Sequence, residues 1–239
     1  MRDSLYTFGF AAVICICCSF VLSLCAEALR PLQERKAEID VHRNILMAVG
    51  IPSDPGAKLG DAEVEKTFEE KLRPIVVDSQ GQTAEGLSPD DLVAQGITDK
   101  YPVYLFEENG KIEAYVIPVK GMGLWGPISG YLAVAPDCNV VKGATFFAPK
   151  ETPGLGAEIV KPWFEDQFKE KKVRDASGVL VSIQVVKGHA ADVAPDRLDH
   201  AVDGVSGATI TGNGVTKMLD EWLNKYEPYF TLVRKGNAA

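Results

Sequence analysis

Residues 4–26, SLYTFGFAAVICICCSFVLSLCA, are 23 consecutive positions without a charged side chain. A helix of that length, at about 1.5 Å per residue, spans the ~30 Å hydrocarbon slab of a bilayer with room for tilt. Length therefore favours a permanent single-span anchor. Two other readings share the segment. Ala26-Glu27-Ala28 offers an A-x-A cleavage pattern, but the apolar stretch exceeds a signal core of about 7–15 residues. A lipoprotein signal ending at Cys25 would want a small residue before the cysteine, and Leu24 stands there. Arg30, Arg35 and Lys36 follow the segment while only Arg2 precedes it. The positive-inside bias thus leans mildly towards a cytoplasmic body, although large domains translocate largely regardless of such charges.

Beyond the anchor the chain is acidic. Arg2 and Asp3 cancel, so residues 27–239 carry the whole formal charge of −8. That balance argues against a nucleic-acid binder, which needs a basic face. With 46% hydrophobic residues in 239, the chain has material for a proper core in one or two domains. Cys15, Cys17, Cys18 and Cys25 lie in the apolar segment, where a thiol acts as a small hydrophobe. Cys138 stands alone outside it, so the soluble body has no internal disulfide. His42, His189 and His200 are scattered and form no zinc-binding pattern.

Hydropathy periods place the elements. Leu29–Val49 reads as a helical stalk ended by Gly50-Ile51-Pro52, and 61–73 as a second helix. In the latter, Asp61 is the expected cap, and Val64, Phe68 and Leu72 recur at helical spacing. Residues 74–77 form a short strand, and Ser88 opens a short helix with Asp90 and Asp91 in its first turn. The period then changes to two. Val103–Glu107 and Ile112–Val119 flank Asn109-Gly110, a strong hairpin signal. Ile128–Val134 and Val140–Phe147 form another pair around Pro136-Asp137. A helix is expected at Trp163–Val173, a strand at Val179–Val186, and a helix at Val215–Tyr226 with an apolar stripe of Val215, Met218, Leu219, Trp222, Leu223 and Tyr226. Strands arranged in hairpins predict an α+β fold with a largely antiparallel sheet flanked by helices, plus one N-terminal transmembrane helix. The expected domains are an anchor at 1–28, a stalk at 29–50 and a soluble domain at 51–239.

Three small-residue segments stand out. The first, Asp203-Gly-Val-Ser-Gly-Ala-Thr-Ile-Thr-Gly-Asn-Gly214, runs directly into the last helix, and eight of its twelve residues are Gly, Ala, Ser or Thr. Unpaired amides and a helix dipole suit a phosphate there, and missing side chains allow close approach. The plainer reading is a turn in which Asn213 caps a structural helix. The second segment is Glu151-Thr-Pro-Gly-Leu-Gly-Ala-Glu-Ile159, the third Gly121-Met-Gly-Leu-Trp-Gly-Pro-Ile128. Each is also ordinary turn or edge-of-core chemistry when taken alone.

Taken together and in this order, the three segments resemble the covalent-FMN domain of the membrane-anchored flavin subunit of the sodium-translocating NADH:quinone reductases. The matching flavin subunit of the RNF electron-transport complexes shares it. The carrying motif is D-x-x-S/T-G-A-T, here Asp203-Gly-Val-Ser206-Gly207-Ala208-Thr209, and Thr209 matches the threonine that the family esterifies to FMN phosphate. Glu151-Thr-Pro-Gly-Leu-Gly matches the second flavin-contacting loop, and Leu124-Trp125-Gly126 resembles the quinone-reductase branch more than the RNF branch. The resemblance covers nearly the whole chain.

It implies FMN held covalently by Thr209, with Ser206, Gly207 and Ala208 at the phosphate. Leu124, Trp125, Thr152, Leu155 and Gly156 would be at the ring, with Asp203 and Glu151 as motif residues of the site. No histidine–carboxylate pair near Thr209 in sequence activates its hydroxyl, and the resemblance implies that a separate flavin transferase, using FAD and a divalent metal, attaches the flavin. The resemblance further implies an electron carrier within a multi-subunit membrane NADH:quinone (ubiquinone) reductase. There it would relay electrons between an iron centre and a second flavin in partner subunits. The soluble domain would lie on the extracytoplasmic side of the inner membrane, against the charge-based lean. Two alternatives stay open: an RNF-type flavin subunit, and a non-enzymatic anchored module that binds an anion reversibly.

Overall fold

The computed structural model describes residues 2–52 and 59–236. Its centre is a five-stranded antiparallel sheet whose strands neighbour one another in sequence order: β1 (Leu72–Asp78), β2 (Lys100–Glu108), β3 (Lys111–Met122), β4 (Pro127–Val134) and β5 (Val141–Phe147). Asn109 and Gly110 both take positive φ, 52° and 74°, as a two-residue hairpin turn between right-twisted strands requires. The second hairpin turns through residues 135–140, where the Asp137 carboxylate accepts the amides of Asn139 and Val140. The α+β class and the antiparallel sheet are therefore as the sequence predicts.

The helices are α1 (Arg2–Ala48), α2 (Asp61–Lys71), α3 (Pro89–Ala94), α4 (Pro162–Glu165), α5 (Ala190–Val193) and α6 (Thr209–Arg234). The chain divides into a unit ending at Val41 and a larger one from His42 onwards. In the first, α1 is exposed and free of charged side chains over residues 7–26; it is the one helix, among the described residues, long and apolar enough to cross a membrane. In the second, β3 is buried on both faces from Ala114 to Val119. Tyr115, Ile117 and Val119 join one core with Val215, Met218, Leu219, Leu223, Tyr226 and Phe230 of α6. On the other face, Tyr104 meets Phe68 of α2, which stacks on His42 at 3.7 Å. Two hydrogen bonds fix α6 to the sheet, from Trp222 Nε1 to the Lys120 carbonyl (2.6 Å) and from the Tyr226 hydroxyl to the Pro102 carbonyl (2.7 Å).

Several boundaries differ from the sequence reading. Asp61 is the first residue of α2 rather than its cap; Gly60 caps the helix, with no side-chain hydrogen bond. Leu72 is buried in β1, not on the helix, because Pro74 disfavours helical backbone at Arg73 and forces the chain to extend. The helix expected at 163–173 lasts only through α4 and a 3₁₀ turn to Phe168. Glu170 then adopts φ 62°, and the Val173 amide bonds to Asn139 instead. The strand expected at 179–186 is broken by Ser182 at φ 60°. Only β6 (Gln184–Val185) survives, paired in parallel with β7 (Ala201–Val202).

Phe164 and Phe168 are fully buried against Phe146 of β5 with ring centroids 6.0 and 5.2 Å away. Beside them, the Glu165 carboxylate accepts the Phe146 amide at 2.7 Å. Burial pushes the Glu165 carboxyl up to about 7, with the Phe146 amide opposing. An acid whose folded value lies above its unfolded value of 4.5 binds more proton when folded. Its contribution is full below pH 4.5 and is lost as pH rises through 7. Glu165→Gln, whose amide oxygen still accepts the Phe146 amide, is expected to remove this decline. Urea unfolding at about pH 8 should find the variant more stable than the parent by up to about 3 kcal/mol, with the difference closing towards about pH 5.

Candidate functional site

The three small-residue segments, far apart in sequence, meet at the N-terminus of α6. Glu151 joins them. This carboxylate is 5% exposed; its Oε1 accepts the Trp125 amide at 2.8 Å and its Oε2 accepts the Thr211 hydroxyl at 2.6 Å. Glycines make room for it. A Cβ on Gly123 would lie 2.6 Å from Glu151 Oε1, and one on Gly156 would lie 2.2 Å from Oε2 and 2.7 Å from Thr211 Oγ1. The first turns of α6 are seated in the same way. A Cβ on Gly214 would lie 2.2 Å from the Met122 carbonyl, and one on Gly212 would lie 3.1 Å from Val185 Cγ1.

These contacts explain a correction to the sequence reading. The last helix begins at Thr209, six residues before the expected Val215, and Asn213 lies inside it rather than capping it. Gly212 and Gly214 are helical glycines that let the helix touch the end of β3 and the β6 segment. Ala208 is the capping residue, with no side-chain hydrogen bond to the first turn. The first helical bond runs from the Gly212 amide to the Ala208 carbonyl (3.0 Å). The amides of Thr209, Ile210 and Thr211 precede it and are the orphan donors of a helix start. The helix dipole adds positive potential at the same place.

Thr209 is exposed at the first helical position, as are Ser206 and Gly207 just before it. Gly207 takes φ 76°, a left-handed conformation that favours glycine, and a Cβ there would lie 2.9 Å from Leu155 Cδ2. That contact sets the 151–156 loop directly beside the 206–209 turn. Lys187 lines a narrow crevice together with Thr209, Gly204 and Asn213. Leu124, Trp125 and Leu155 are all exposed, Trp125 at 66%. Thr152 is exposed too, and its carbonyl accepts the amides of Leu155 and Ala157, which shapes the loop.

Asp203 binds the segment before this turn through its carboxylate. Its Oδ1 accepts the Ala190 amide at 2.7 Å, and its Oδ2 lies 2.8 Å from His189 Nδ1. The Ala190 amide first, and His189 second, hold the Asp203 carboxyl below its ordinary value, while Asp203 raises His189. Asp203 thus braces the 188–190 segment. The Gly204 amide donates to the Gly188 carbonyl at 3.0 Å, and a Cβ on Gly204 would lie 2.1 Å from the Val186 carbonyl. The structure therefore gathers Leu124, Trp125, Glu151, Thr152, Leu155, Gly156, Ser206, Gly207, Ala208 and Thr209 at one end of α6, with Asp203 before the turn.

Sequence reading missed Thr211, Lys187 and His189. The motif already picks Thr209 from the Thr-Ile-Thr repeat, and the fold adds that Thr209 is exposed whereas Thr211 is 1% exposed.

A family model described as the FMN-binding domain matches residues 123–224, which take in the 151–159 and 203–214 segments, the Gly121–Ile128 segment from Gly123 onwards, and α6 as far as Asn224. The chain is 34% identical to the NqrC subunit of the Na(+)-translocating NADH-quinone reductase of Pseudomonas aeruginosa, with 95% of each chain covered. It is 32% identical to the protein of the same name from Vibrio alginolyticus, covering 96% of this chain and 95% of that one. Among solved structures, the corresponding subunit of the Parabacteroides distasonis Na(+)-translocating NADH-quinone reductase superposes with a TM-score of 0.72 at 35% identity, covering 85% of this chain and 97% of that one. Shewanella oneidensis NqrC gives a TM-score of 0.69 at 26% identity, covering 85% and 99%.

Proposed function

From the premise that this chain belongs to the NqrC family of Na(+)-translocating NADH-quinone reductase subunits, we propose that it carries FMN covalently on Thr209 and passes electrons between partner subunits. The family is named for an oxidoreductase complex, and the matching domain is an FMN-binding one. The observation that carries the finer reading is the contrast between two neighbouring hydroxyls. Thr209 is exposed at the start of a 26-residue helix, beside orphan amides and Lys187, whereas Thr211 is buried and committed to Glu151.

The residues present fit the group. A phosphate esterified to Thr209 Oγ1 would meet the amides of the first helical turn and the dipole behind them. Gly207 leaves the approach free of side chains. Leu124, Trp125 and Leu155 offer exposed apolar surface, and the Trp125 indole offers a face for stacking on a flat ring. Bound there, the flavin supplies reversible electron transfer; the protein supplies position and electrostatics. Esterification at the phosphate leaves the ring chemically unaltered and keeps the carrier from diffusing away.

No histidine lies among the residues gathered around Thr209, and the carboxylate nearest it in this cluster, Glu151, is spent on Trp125 and Thr211. In keeping with the family resemblance, attachment is assigned to a separate transferase that uses FAD: the threonine oxygen bonds to the phosphorus of the FMN half, the pyrophosphate P–O bond breaks, and AMP leaves with its phosphate while the threonine proton is released. Residues 1–28 are proposed as the membrane anchor, 29–50 as the stalk and 51–239 as the cofactor domain. The domain would face the extracytoplasmic side of the cytoplasmic membrane, and the other subunits of the reductase would dock against it.

The test uses full-length protein purified from its native membrane. Ultraviolet illumination of a denaturing gel should show a fluorescent band, and mass analysis should place the flavin phosphate on peptide 203–217. An unmodified peptide from an active assembly would overturn the assignment and leave reversible anion binding as the reading.

A further inference from the structure

Glu151 lies within the proposed flavin site, yet both of its oxygens already have partners inside the protein. The Trp125 amide donates to one and the Thr211 hydroxyl to the other, and the glycines at 123 and 156 close over them. With 5% exposure, the carboxylate has no open side towards a ligand lying on the exposed surface of Leu124, Trp125 and Leu155. Its partners, by contrast, belong to the two other elements of the site. Trp125 lies on the β3–β4 connection, 26 positions away in sequence, and Thr211 on the first turn of α6, 60 positions away.

We infer that Glu151 is a positioning residue that clasps the Trp125 loop and the start of α6 together, so that the platform for the flavin ring is assembled before the cofactor arrives. The inference rests on the proposed flavin reading, but the clasp itself is a property of the protein without cofactor.

Three things follow physically. First, the β3–β4 connection is a short turn that the Gly123 amide closes onto the Gly126 carbonyl at 2.8 Å. Without an acceptor for its own amide, Trp125 would be held only by that turn, and its indole, two-thirds exposed, has little packing to restrain it. Second, the clasp keeps the Thr211 hydroxyl committed, so that of two nearby threonines only Thr209 presents an oxygen to an incoming phosphorus. Third, a shared acceptor couples the two sides. A shift of the α6 start would be felt at Trp125 through one carboxylate, because a fully satisfied buried polar network is rigid.

The experiment separates the clasp from flavin chemistry by working first on flavin-free, full-length chain carrying Thr209→Ala. In that background, Glu151→Ala should raise hydrogen exchange at the Trp125 amide about 10- to 100-fold, the effect of losing one hydrogen bond to a buried acceptor. Glu151→Gln should restore most of the protection, since its carbonyl can still accept Trp125 N–H and its amide can donate to Thr211 Oγ1. In flavin-loaded protein with Thr209 intact, Glu151→Ala should leave flavin on the denatured band but increase quenching of flavin fluorescence by iodide, while Glu151→Gln behaves as the parent.

Unchanged Trp125 exchange in the Ala variant would overturn the clasp. So would a flavin-loaded Gln variant quenched as strongly as Ala, since that would put the effect in the carboxylate's direct action on the ring. Should Glu151→Ala fail to fold, Thr211→Val removes half the clasp at nearly constant volume. It must then loosen Trp125 measurably if the inference is correct. Loss of the flavin band in the parent itself would instead sink the attachment reading and leave the exchange result standing.

Discussion

A Thr209→Ala chain made alongside the flavin transferase is expected to run on a denaturing gel without a fluorescent band, going from about one flavin per chain to background, because Thr209 supplies the exposed hydroxyl at the start of α6. The substitution is structurally mild. Thr209 is exposed at the first position of α6, and alanine is the strongest helix former, so folding should be unaffected or slightly improved. The adjacent candidates behave differently. Thr211→Val loses the hydrogen bond to Glu151 and leaves a buried carboxylate oxygen short of a donor. It should cost about 1–3 kcal/mol by urea unfolding while retaining covalent flavin. Thr152→Val should also retain it, since Thr152 shapes its loop through its carbonyl. Ser206 precedes the helix start and lacks its amides. A fluorescent band that survives in Thr209→Ala but vanishes in Thr211→Val would transfer the attachment to the buried threonine and overturn the geometry proposed here.

How much of this was legible beforehand follows from the range of each interaction. The hairpin at Asn109-Gly110 is encoded by two adjacent residues whose backbone preference is local, and the structure shows both at positive φ. The α6 stripe is likewise local, and its buried positions are those its spacing predicts, with Trp222 half-buried at the edge. The first two turns of α6 were not legible. Gly212 and Gly214 carry the composition of a loop, and their reason for being in a helix lies in the β6 segment and at Met122. Ser182 ends an otherwise strand-like run through one backbone angle that β-branched neighbours do not betray. In the site, the three small-residue segments were visible as motifs, and their order pointed to the family. Their closure through Glu151 was not, since a glutamate at the head of a turn looks like any solvated acid until its two partners are brought to it. Asp203 was legible as a motif residue, but its partner His189 comes from a segment with no pattern of its own.

The largest stability effect is expected away from the flavin, at the far half of α6. Arg174 is 3% exposed, and each nitrogen of its guanidinium donates within the protein. Nε donates to the Cys138 carbonyl at 3.2 Å, Nη1 to Gly178 O at 3.3 Å and to Glu227 Oε1 at 3.0 Å, and Nη2 to Glu227 Oε2. Glu227 Oε1 also accepts Thr231 Oγ1 and Arg234 Nη2, so this network ties α6 to the β4–β5 turn and to the 174–178 loop. Burial in the same corner pushes the Cys138 thiol up to about 12, which keeps it neutral and unreactive. Glu227→Ala strands a buried guanidinium without its carboxylate and should lower stability by about 3–5 kcal/mol. Partial exposure of Glu227 and the nearby Thr231 hydroxyl place the expectation at the lower end of that range. The joint replacement Arg174→Met with Glu227→Leu removes both charges and should cost less than Glu227→Ala alone, because the penalty lies in the unpaired charge rather than in the absent pair. Denaturant midpoints of the three proteins decide this. A double variant that falls as far as the single one would show that packing of the arginine stem and its bonds to Cys138 and Gly178, not charge pairing, holds this end of the helix. Since α6 carries Thr209 at its other end, covalent flavin in the single variant should persist below its melting temperature, which separates anchoring of the helix from assembly of the site.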